Sequence, residues 1–143
     1  MKIIKYEDKY RDDMIFMILE AKNALGRVPG LNEDLLDIKR NYLDAGDMFW
    51  LAINEQDRVI GSIGYNSIRD TDEVWLHRLF VKYNLKRQGI GSALLEMAEN
   101  YIANQGKKVV RIHMGGNGFE ESKIFYPKPG YVEYRERYMM KNL

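Results

Sequence analysis

The sequence predicts an α/β protein in which a mixed, mostly antiparallel sheet is flanked by helices. Apolar residues recur with helical spacing through much of residues 9–43, and from residue 48 onward they alternate as in strands. An amphipathic stretch at 91–104 then separates the strands expected at 73–81 and 107–114. A strand–helix–strand connection makes its two strands parallel, so we expect one parallel pair in an otherwise antiparallel sheet.

The N-terminal half is expected to contain two helices between the first strand and the rest of the sheet. A strand at 2–6 precedes a helix at 9–25, which ends in the glycine- and proline-containing segment 26–30. A second helix is expected at 32–43, before Gly46. Strands at 48–53 and 59–67 form a hairpin across a polar turn, and a second polar turn at 69–72 leads into strand 73–81.

In the C-terminal half, the helix at 91–104 ends before Gly106. A strand at 107–114, a short helix at 120–126 and a final strand at 131–140 complete the order β-α-α-β-β-β-α-β-α-β. The 143 residues contain no linker, internal repeat or low-complexity tract. We therefore expect one domain that spans residues 1–143.

Composition narrows the classes of function. The 22 lysines and arginines nearly balance the 21 acidic residues, so the net charge of +1 gives no reason to expect nucleic acid or an anionic membrane as a partner. Without cysteine there are no disulfides or thiolates, and two histidines alone do not make a metal site. No segment is apolar enough to span a membrane and the N-terminus lacks a signal-peptide core, which predicts a cytoplasmic protein.

The most informative motif connects strand 73–81 to the helix that follows it. Gly89 and Gly91 let backbone N–H groups approach a ligand, and the helix directs the positive end of its dipole to the same place. The P-loop is excluded because no lysine follows Gly91, and the dinucleotide fingerprint because Leu94 stands where a small residue is needed. A phosphorylated ligand is therefore expected at the segment Lys86-Arg87-Gln88-Gly89-Ile90-Gly91.

This motif resembles the acetyl-CoA pyrophosphate loop of the GNAT N-acetyltransferase superfamily, whose pattern is Arg/Gln-x-x-Gly-x-Gly/Ala. Lys86 replaces the usual arginine or glutamine, which keeps a positive charge but loses bidentate geometry. The element order also resembles the GNAT fold, closely from residue 48 onward and by position alone in the N-terminal helices. The resemblance implies acetyl-CoA as co-substrate, bound along the strand and the loop by Leu79, Phe80, Val81, Lys86, Arg87, Gln88, Gly89, Ile90, Gly91 and Ser92.

A second motif, residues 122–131, resembles the family segment Ala-x-x-Phe-Tyr-x-x-x-Gly-Phe/Tyr. Tyr126 takes the position of the tyrosine that lies near the thioester in this family, although Pro129 replaces the usual leucine. Asn117 stands further from Tyr126 than the corresponding asparagine normally does. The resemblance implies that Tyr126 protonates the departing CoA thiolate and that Asn117 contributes to cofactor binding.

The general base has two candidates. Many family members carry a glutamate where Trp75 stands here, and Glu73 and His77 lie one pleat to either side on the same face of the strand. The segment 76–81 is similar to the corresponding segment of arylalkylamine N-acetyltransferases, in which a histidine at the position of His77 helps to remove the amine's proton. Since histidine titrates near neutrality, we expect His77 as the base, with Glu73 as the second candidate.

The resemblance implies an N-acetyltransferase that transfers the acetyl group to a primary amine by direct attack in a ternary complex. The acceptor is open, with a small molecule favoured over a protein, and apolar or aromatic amines are suggested by Trp75 and nearby aromatic residues. A homodimer is compatible with the alternating pattern of residues 131–140. The alternative is an acyl-CoA-binding sensor or interaction module that has lost turnover, which the missing strand glutamate favours.

Overall fold

The computed structural model describes all 143 residues, Met1–Leu143, and builds one seven-stranded sheet with helices on both faces. The strand order across the sheet is β1-β2-β3-β4-β5-β7-β6. The elements are β1 (Lys2–Lys5), α1 (Arg11–Ala24), β2 (Met48–Ile53), β3 (Val59–Ser67), β4 (Glu73–Val81), α2 (Ile90–Asn104), β5 (Val109–His113), α3 (Glu120–Phe125), β6 (Val132–Arg135) and β7 (Tyr138–Asn142).

The sheet is antiparallel except between its two central strands. β4 and β5 run parallel because α2 crosses over from the end of one to the start of the other, whereas every other neighbouring pair is antiparallel. The predicted α/β class with one parallel crossover is therefore confirmed. No helix in the structure combines the length and the apolar character that crossing a bilayer requires.

The helix predicted at 32–43 does not form. A 3-10 turn at Glu33–Leu36 is followed by a π-turn at Lys39–Leu43, and Asp37 between them has an extended φ of −146°. The Asp37 carboxylate accepts the backbone N–H of Arg40 at 3.0 Å, so it caps the second turn instead of continuing the first. The prediction was wrong because apolar spacing does not reveal a side chain that competes for backbone hydrogen bonds.

The single strand predicted at 131–140 is in fact a hairpin. β6 and β7 pair antiparallel, and Arg137, at a left-handed φ of 68°, completes the turn between them. β7 lies inside the sheet between β5 and β6, and β6 forms the exposed edge. No glycine, proline or asparagine marks this turn, which is why the alternating pattern predicted one continuous strand.

Each face of the sheet carries its own apolar core. α2 covers one face, and residues from α2 and the central strands form its core, including Leu94, Ala98, Ile102, Val74 and Val110. α1 covers the other face with residues of β2, and that core includes Met14, Met17, Ile18, Phe49 and Leu51. The two helices thus pack on opposite faces of the sheet. Residues at the end of β4 contact both cores.

Close packing at Gly64 gives the first testable prediction. A Cβ atom there would lie 2.4 Å from Phe49 Cδ2 and 3.1 Å from Tyr42 Cε1, and both rings are fully buried. We expect Gly64→Ala to lower the free energy of unfolding by about 1–3 kcal/mol, because neither ring has space to retreat. Urea unfolding measures the loss.

Gly30→Ala is the matched control, because its added Cβ would meet no atom within 4 Å. A Gly64→Ala variant as stable as the wild type would show that the Phe49 ring moves freely, contrary to its complete burial.

Candidate active site

A cleft opens where the two parallel strands separate. β4 and β5 pair only from Glu73 to Trp75 on β4 and from Val109 to Arg111 on β5. Beyond that point the second half of β4 has no neighbour on its β5 side, so this edge offers unpaired backbone groups. A cavity of about 470 Å³ lies along it, bounded by the N-terminus of α2, by α3 and by the end of α1.

A β-bulge shapes the strand at the head of this cleft. The pairing of β3 with β4 shifts register between Ser62 and Gly64, so that Arg78 and Leu79 together face Ile63. Arg78 adopts a left-handed φ of 58°, and the Ser62 hydroxyl donates a 2.7 Å hydrogen bond to the Arg78 carbonyl. The bulge therefore has its own hydrogen bond to hold it in place.

The bulge also changes which face of the sheet each side chain reaches. Before it, Val74 and Leu76 belong to the core beneath α2. After it, Leu79 and Val81 pack against that core, while Phe80 joins the core beneath α1. Because one extra residue reverses the alternation, Leu79 comes to lie on the wall of the cleft.

The start of α2 forms the mouth of the cleft. Gly89 precedes the helix with a left-handed φ of 80° and accepts the Ala93 N–H at 3.0 Å. The N–H groups of Ile90, Gly91 and Ser92 have no intrahelical acceptor, no side chain caps them, and the first turn carries no acidic residue. These free donors and the helix dipole make the mouth suitable for an anion.

Basic side chains surround this mouth. Lys86, Arg87 and Lys128 line the cleft. Lys86 is fixed by a bidentate ion pair with Glu121, at 2.9 and 3.0 Å, and so connects the loop to α3. Arg87 is exposed and makes no ion pair, which leaves its charge available to a ligand. Gln88 is exposed and does not line the cleft.

A second cavity of about 580 Å³ opens on the other side of the bulge. The two cavities share Arg27, Leu79, Phe80, Ser122 and Tyr126 as lining residues. The remaining walls of the second cavity come from the loop after α1, the middle of β4, the end of β5 and the segment before α3. Two ligands that enter from opposite sides would therefore meet at the bulge.

Tyr126 lies at the junction of the two cavities. Its ring is held edge-on between Phe125 and Tyr131, at centroid distances of 5.1 and 5.4 Å. Its hydroxyl makes no hydrogen bond to the protein but is not sealed off, since the residue lines both cavities. Burial raises the pKa of the phenol well above its usual value, and the charge of Arg27 opposes that rise. The hydroxyl is therefore a protonated, unengaged donor.

His77 lines the second cavity and has a defined tautomer. Its Nδ1 lies 2.9 Å from the Oδ1 of Asn66. The Asn66 amide nitrogen donates to the Asn41 carbonyl at 3.0 Å and to Asp47 at 3.4 Å, so its oxygen must be the acceptor for His77. The Nδ1 atom of His77 then carries the hydrogen, and Nε2 keeps its lone pair.

The charge state of His77 also suits a base. Burial lowers the pKa of the imidazole, the neighbouring charge of Arg78 lowers it further, and Asp34 acts in the opposite direction. The ring is therefore neutral at physiological pH. A neutral imidazole with a free Nε2 atom is able to accept a proton.

Glu73, the second candidate for the base, lies outside both cavities, and Asn117, expected at the cofactor, lies outside the cleft. Glu73 lies at the paired start of β4, lines neither cavity, and binds Arg111 through Nη2 at 2.5 Å and Nε at 3.0 Å. Its carboxylate is thus engaged away from the bulge. Asn117 lines the second cavity and not the cleft. Trp75 lines neither cavity, and its ring centroid lies 6.1 Å from that of Tyr138.

The other residues expected at the cofactor site do lie together. All of them except Gln88 and Asn117 line the cleft, namely Leu79, Phe80, Val81, Lys86, Arg87, Gly89, Ile90, Gly91 and Ser92. Nowhere in the structure do three or more histidine, cysteine or carboxylate side chains come together as metal ligands.

Sequence reasoning missed Arg27 and Asn66. Arg27 follows α1 and lines both cavities, and its Nε atom donates to the Gly118 carbonyl at 2.8 Å, across 91 residues of chain. Asn66 orients His77 from the neighbouring strand. Neither residue lies in a motif, so no local signal distinguishes them from ordinary surface positions.

The open edge of β4 and the uncapped start of α2 together form the kind of cleft that the sequence resemblance predicted. Residues 13–131 match the model of the acetyltransferase (GNAT) family. The chain belongs to the GNAT acetyltransferase family, as the sequence resemblance predicted.

Individual relatives agree with this membership. Human N-acetyltransferase 8 is 32% identical over 87 residues, which are 57% of this chain and 38% of the human protein, so the match spans about two fifths of that relative. A GNAT-family acetyltransferase from Staphylococcus aureus Mu50 is 26% identical, with a TM-score of 0.90 over 99% of this chain and 98% of that one. The PaiA N-acetyltransferase of Thermoplasma acidophilum, solved in complex with coenzyme A, shares the fold at 20% identity, with a TM-score of 0.78 over 99% of this chain and 98% of its own.

Proposed function

We propose that this protein transfers the acetyl group of acetyl-CoA to a primary amine by direct attack within a ternary complex. The observation that carries this proposal is the meeting of two cavities at Leu79 and Tyr126. A thioester in one cavity and an amine in the other would have their reacting atoms at the same point, which is the main requirement for direct transfer. The coenzyme A bound by the Thermoplasma relative supports the same choice of donor.

The diphosphate, the pantetheine arm and the sulfur of acetyl-CoA would lie along the cleft in that order, from its mouth to the bulge. The diphosphate would accept hydrogen bonds from the free N–H groups at the start of α2, with Arg87 and Lys128 nearby as counter-charges. The pantetheine arm carries two amides, and the open edge of β4 offers the backbone partners that an added strand would use. Its sulfur would then reach the bulge.

The amine would be activated from the second cavity. Its nitrogen must lose a proton as it attacks the carbonyl carbon, and the free Nε2 atom of His77 accepts that proton directly or through a water molecule. Asn66 holds the imidazole in the orientation and tautomer that this step needs. Glu73 is not assigned this role, because Arg111 already neutralises it outside the cavity.

The same step needs support for the charge that develops on the thioester. The carbonyl oxygen becomes negative as the new C–N bond forms, and the backbone N–H of Leu79 at the bulge would stabilise it. When the C–S bond breaks, the sulfur takes a proton from the Tyr126 hydroxyl. Solvent later returns a proton to Tyr126. The nearby charge of Arg27 makes that proton easier to release, because it opposes the effect of burial on the phenol's pKa.

Binding of acetyl-CoA is tested by thermal unfolding of the wild type and of Gly89→Asp. At 100 times its Kd, acetyl-CoA is expected to stabilise the wild type by about 2.7 kcal/mol. In Gly89→Asp the carboxylate would face the diphosphate, and its side chain would strain a backbone held at φ 80°, so we expect no stabilisation by the ligand.

The matched control is Gly106→Asp, at the opposite end of α2. Gly106 has a similar φ of 83° and equally open surroundings, so this variant adds the same charge and a comparable strain away from the cleft. It should lose intrinsic stability but keep the response to acetyl-CoA. If Gly89→Asp responds as fully as Gly106→Asp, the diphosphate does not bind at the start of α2.

Release of CoA thiol in the presence of an amine panel then separates an enzyme from a binding protein. Wild type that is stabilised by acetyl-CoA but releases no thiol with any primary amine would favour an acyl-CoA sensor over the transferase.

A further inference from the structure

The second cavity has an unusual balance of charge. No aspartate or glutamate lines it, whereas Lys22, Arg27 and Arg78 do. Arg78 is neutralised by a bidentate ion pair with Asp34, with Nη2–Oδ1 at 2.8 Å and Nε–Oδ2 at 3.0 Å. Lys22 and Arg27 make no ion pair with any carboxylate. The cavity therefore holds two positive charges that are not paired with a carboxylate.

Arg27 is held rigidly with one edge free. Its Nε atom donates to the Gly118 carbonyl at 2.8 Å, and its guanidinium lies 3.5 Å from the centroid of the Phe119 ring. These contacts fix the plane of the group but leave both Nη nitrogens without a protein partner. Those nitrogens are not sealed off, since Arg27 lines both cavities. A fixed fork of N–H donors matches the two oxygens of a carboxylate.

Lys22 is a buried cation with neutral partners only. Its side chain, 8% exposed, donates to the Gly30 carbonyl at 2.8 Å and to the Asn32 side-chain oxygen. Burial lowers its pKa, the charges of Arg78 and Arg27 lower it further, and Asp34 acts in the opposite direction. A buried charge without a counter-ion is costly, so an anionic ligand in this cavity would relieve an existing electrostatic strain.

Apart from its charged residues, the cavity has a mixed wall and is small. Leu76, Ile112, Met114 and Phe119 supply much of its wall, and a volume of about 580 Å³ suits a small molecule more than a folded protein surface. A polyamine or an aminoglycoside would bring several positive charges to a site that already has two.

We propose that the acceptor is a small amine that also carries a carboxylate, and that Arg27 and Lys22 bind this carboxylate while the amine faces His77. The proposal rests on the proposed function, because it concerns the acceptor side of the same site. The simplest members of this class are α-amino acids with apolar side chains.

Paired acceptors test the proposal. Apolar L-amino acids are compared with their carboxamides, which keep the side chain but lose the negative charge. Because the amine of the amide is less basic, kcat/KM is calculated for the neutral amine in each case. The wild type is expected to prefer the acid in kcat/KM by about tenfold or more, as for a charge-assisted pair. In Arg27→Gln the acid and the amide should become nearly equal, because only the acid loses a partner. Arg69→Gln, on an exposed loop, is the control and should keep the preference.

The ratio of kcat/KM for the acid to kcat/KM for the amide distinguishes carboxylate binding by Arg27 from a direct role of Arg27 in acyl transfer. If Arg27→Gln slows the acid and the amide equally, Arg27 acts on the thioester and the proposal is overturned. Equal use of acids and amides by the wild type would overturn it too, while leaving the transferase itself intact.

A binding measurement tests the proposal without turnover. N-acetyl-L-leucine and N-acetyl-L-leucinamide are titrated by calorimetry into the protein saturated with CoA. We expect the wild type to bind the acid about tenfold more tightly than the amide. Arg27→Gln should bind the acid and the amide equally. Indistinguishable binding of the two by the wild type overturns the proposal even if no acceptor is ever turned over.

Discussion

Replacing Tyr126 with phenylalanine is expected to lower kcat by about 10²- to 10⁴-fold, the usual contribution of a positioned general acid. The ring keeps its edge-on contacts with Phe125 and Tyr131, so the variant should fold normally. Only the hydroxyl is lost, and no protein atom depends on it for a hydrogen bond. Single-turnover measurement of thiol release reports the chemical step.

The stabilisation by acetyl-CoA should be unchanged in Tyr126→Phe, because the proposed diphosphate site lies at the other end of the cleft. Tyr83→Phe is the control, since Tyr83 is exposed and lines neither cavity. If Tyr126→Phe turned over at the wild-type rate, the proton for the sulfur would have to come from elsewhere, and the assignment of Tyr126 would be withdrawn.

The second large effect is expected at His77. His77→Gln retains a polar side chain that Asn66 is able to hydrogen-bond, but it has no atom that accepts a proton near neutrality. We expect kcat to fall by about 10²- to 10⁴-fold. If kcat did not fall, the amine would be deprotonated by solvent before it binds.

The pH dependence of kcat distinguishes this role from a packing role. In the proposed role His77 would accept a proton only when neutral, so kcat of the wild type should fall as the pH drops through the pKa of His77. Since burial lowers that pKa, the midpoint should lie below the ordinary histidine value of about 6.5. His77→Gln should lose this acidic limb altogether.

Asn66→Ala provides the companion variant. It removes the acceptor that orients Nδ1 but leaves the imidazole in place, so the acidic limb should remain while kcat falls less than in His77→Gln. A limb that persists in His77→Gln itself would assign the titration to another group.

Local patterns in the chain were sufficient to predict the working parts of the cleft. The strand before Lys86, the glycines at 89 and 91 and the helix after them occur within one continuous segment. Their geometry depends on backbone freedom and helix ends, which neighbouring residues decide. Tyr126, which lines both cavities, was predicted as a site residue for the same reason, as part of a short motif. The hairpin at 48–67 and the parallel crossover also followed from period and turn residues.

Tertiary structure decided which candidates share a site. Glu73 and His77 are equivalent in a strand pattern. In the structure Glu73 lies outside both cavities in an ion pair with Arg111, whereas Asn66 orients His77 on the wall of the second cavity. The difference arises from partners that are 38 and 11 residues away along the chain. The alternation of residues within a strand does not predict such long-range contacts.

The sequence by itself therefore determined the class of fold, the family and the mouth of the cleft, because these depend on residues close together in the chain. Only the tertiary structure decided the charge balance of the second cavity. Arg27 is distant from Gly118 and Phe119 in sequence but in contact with both, and Lys22 is left without a counter-ion by the same folding. Charge balance in a cavity is a property of the residues that meet there, and their meeting is settled by long-range packing.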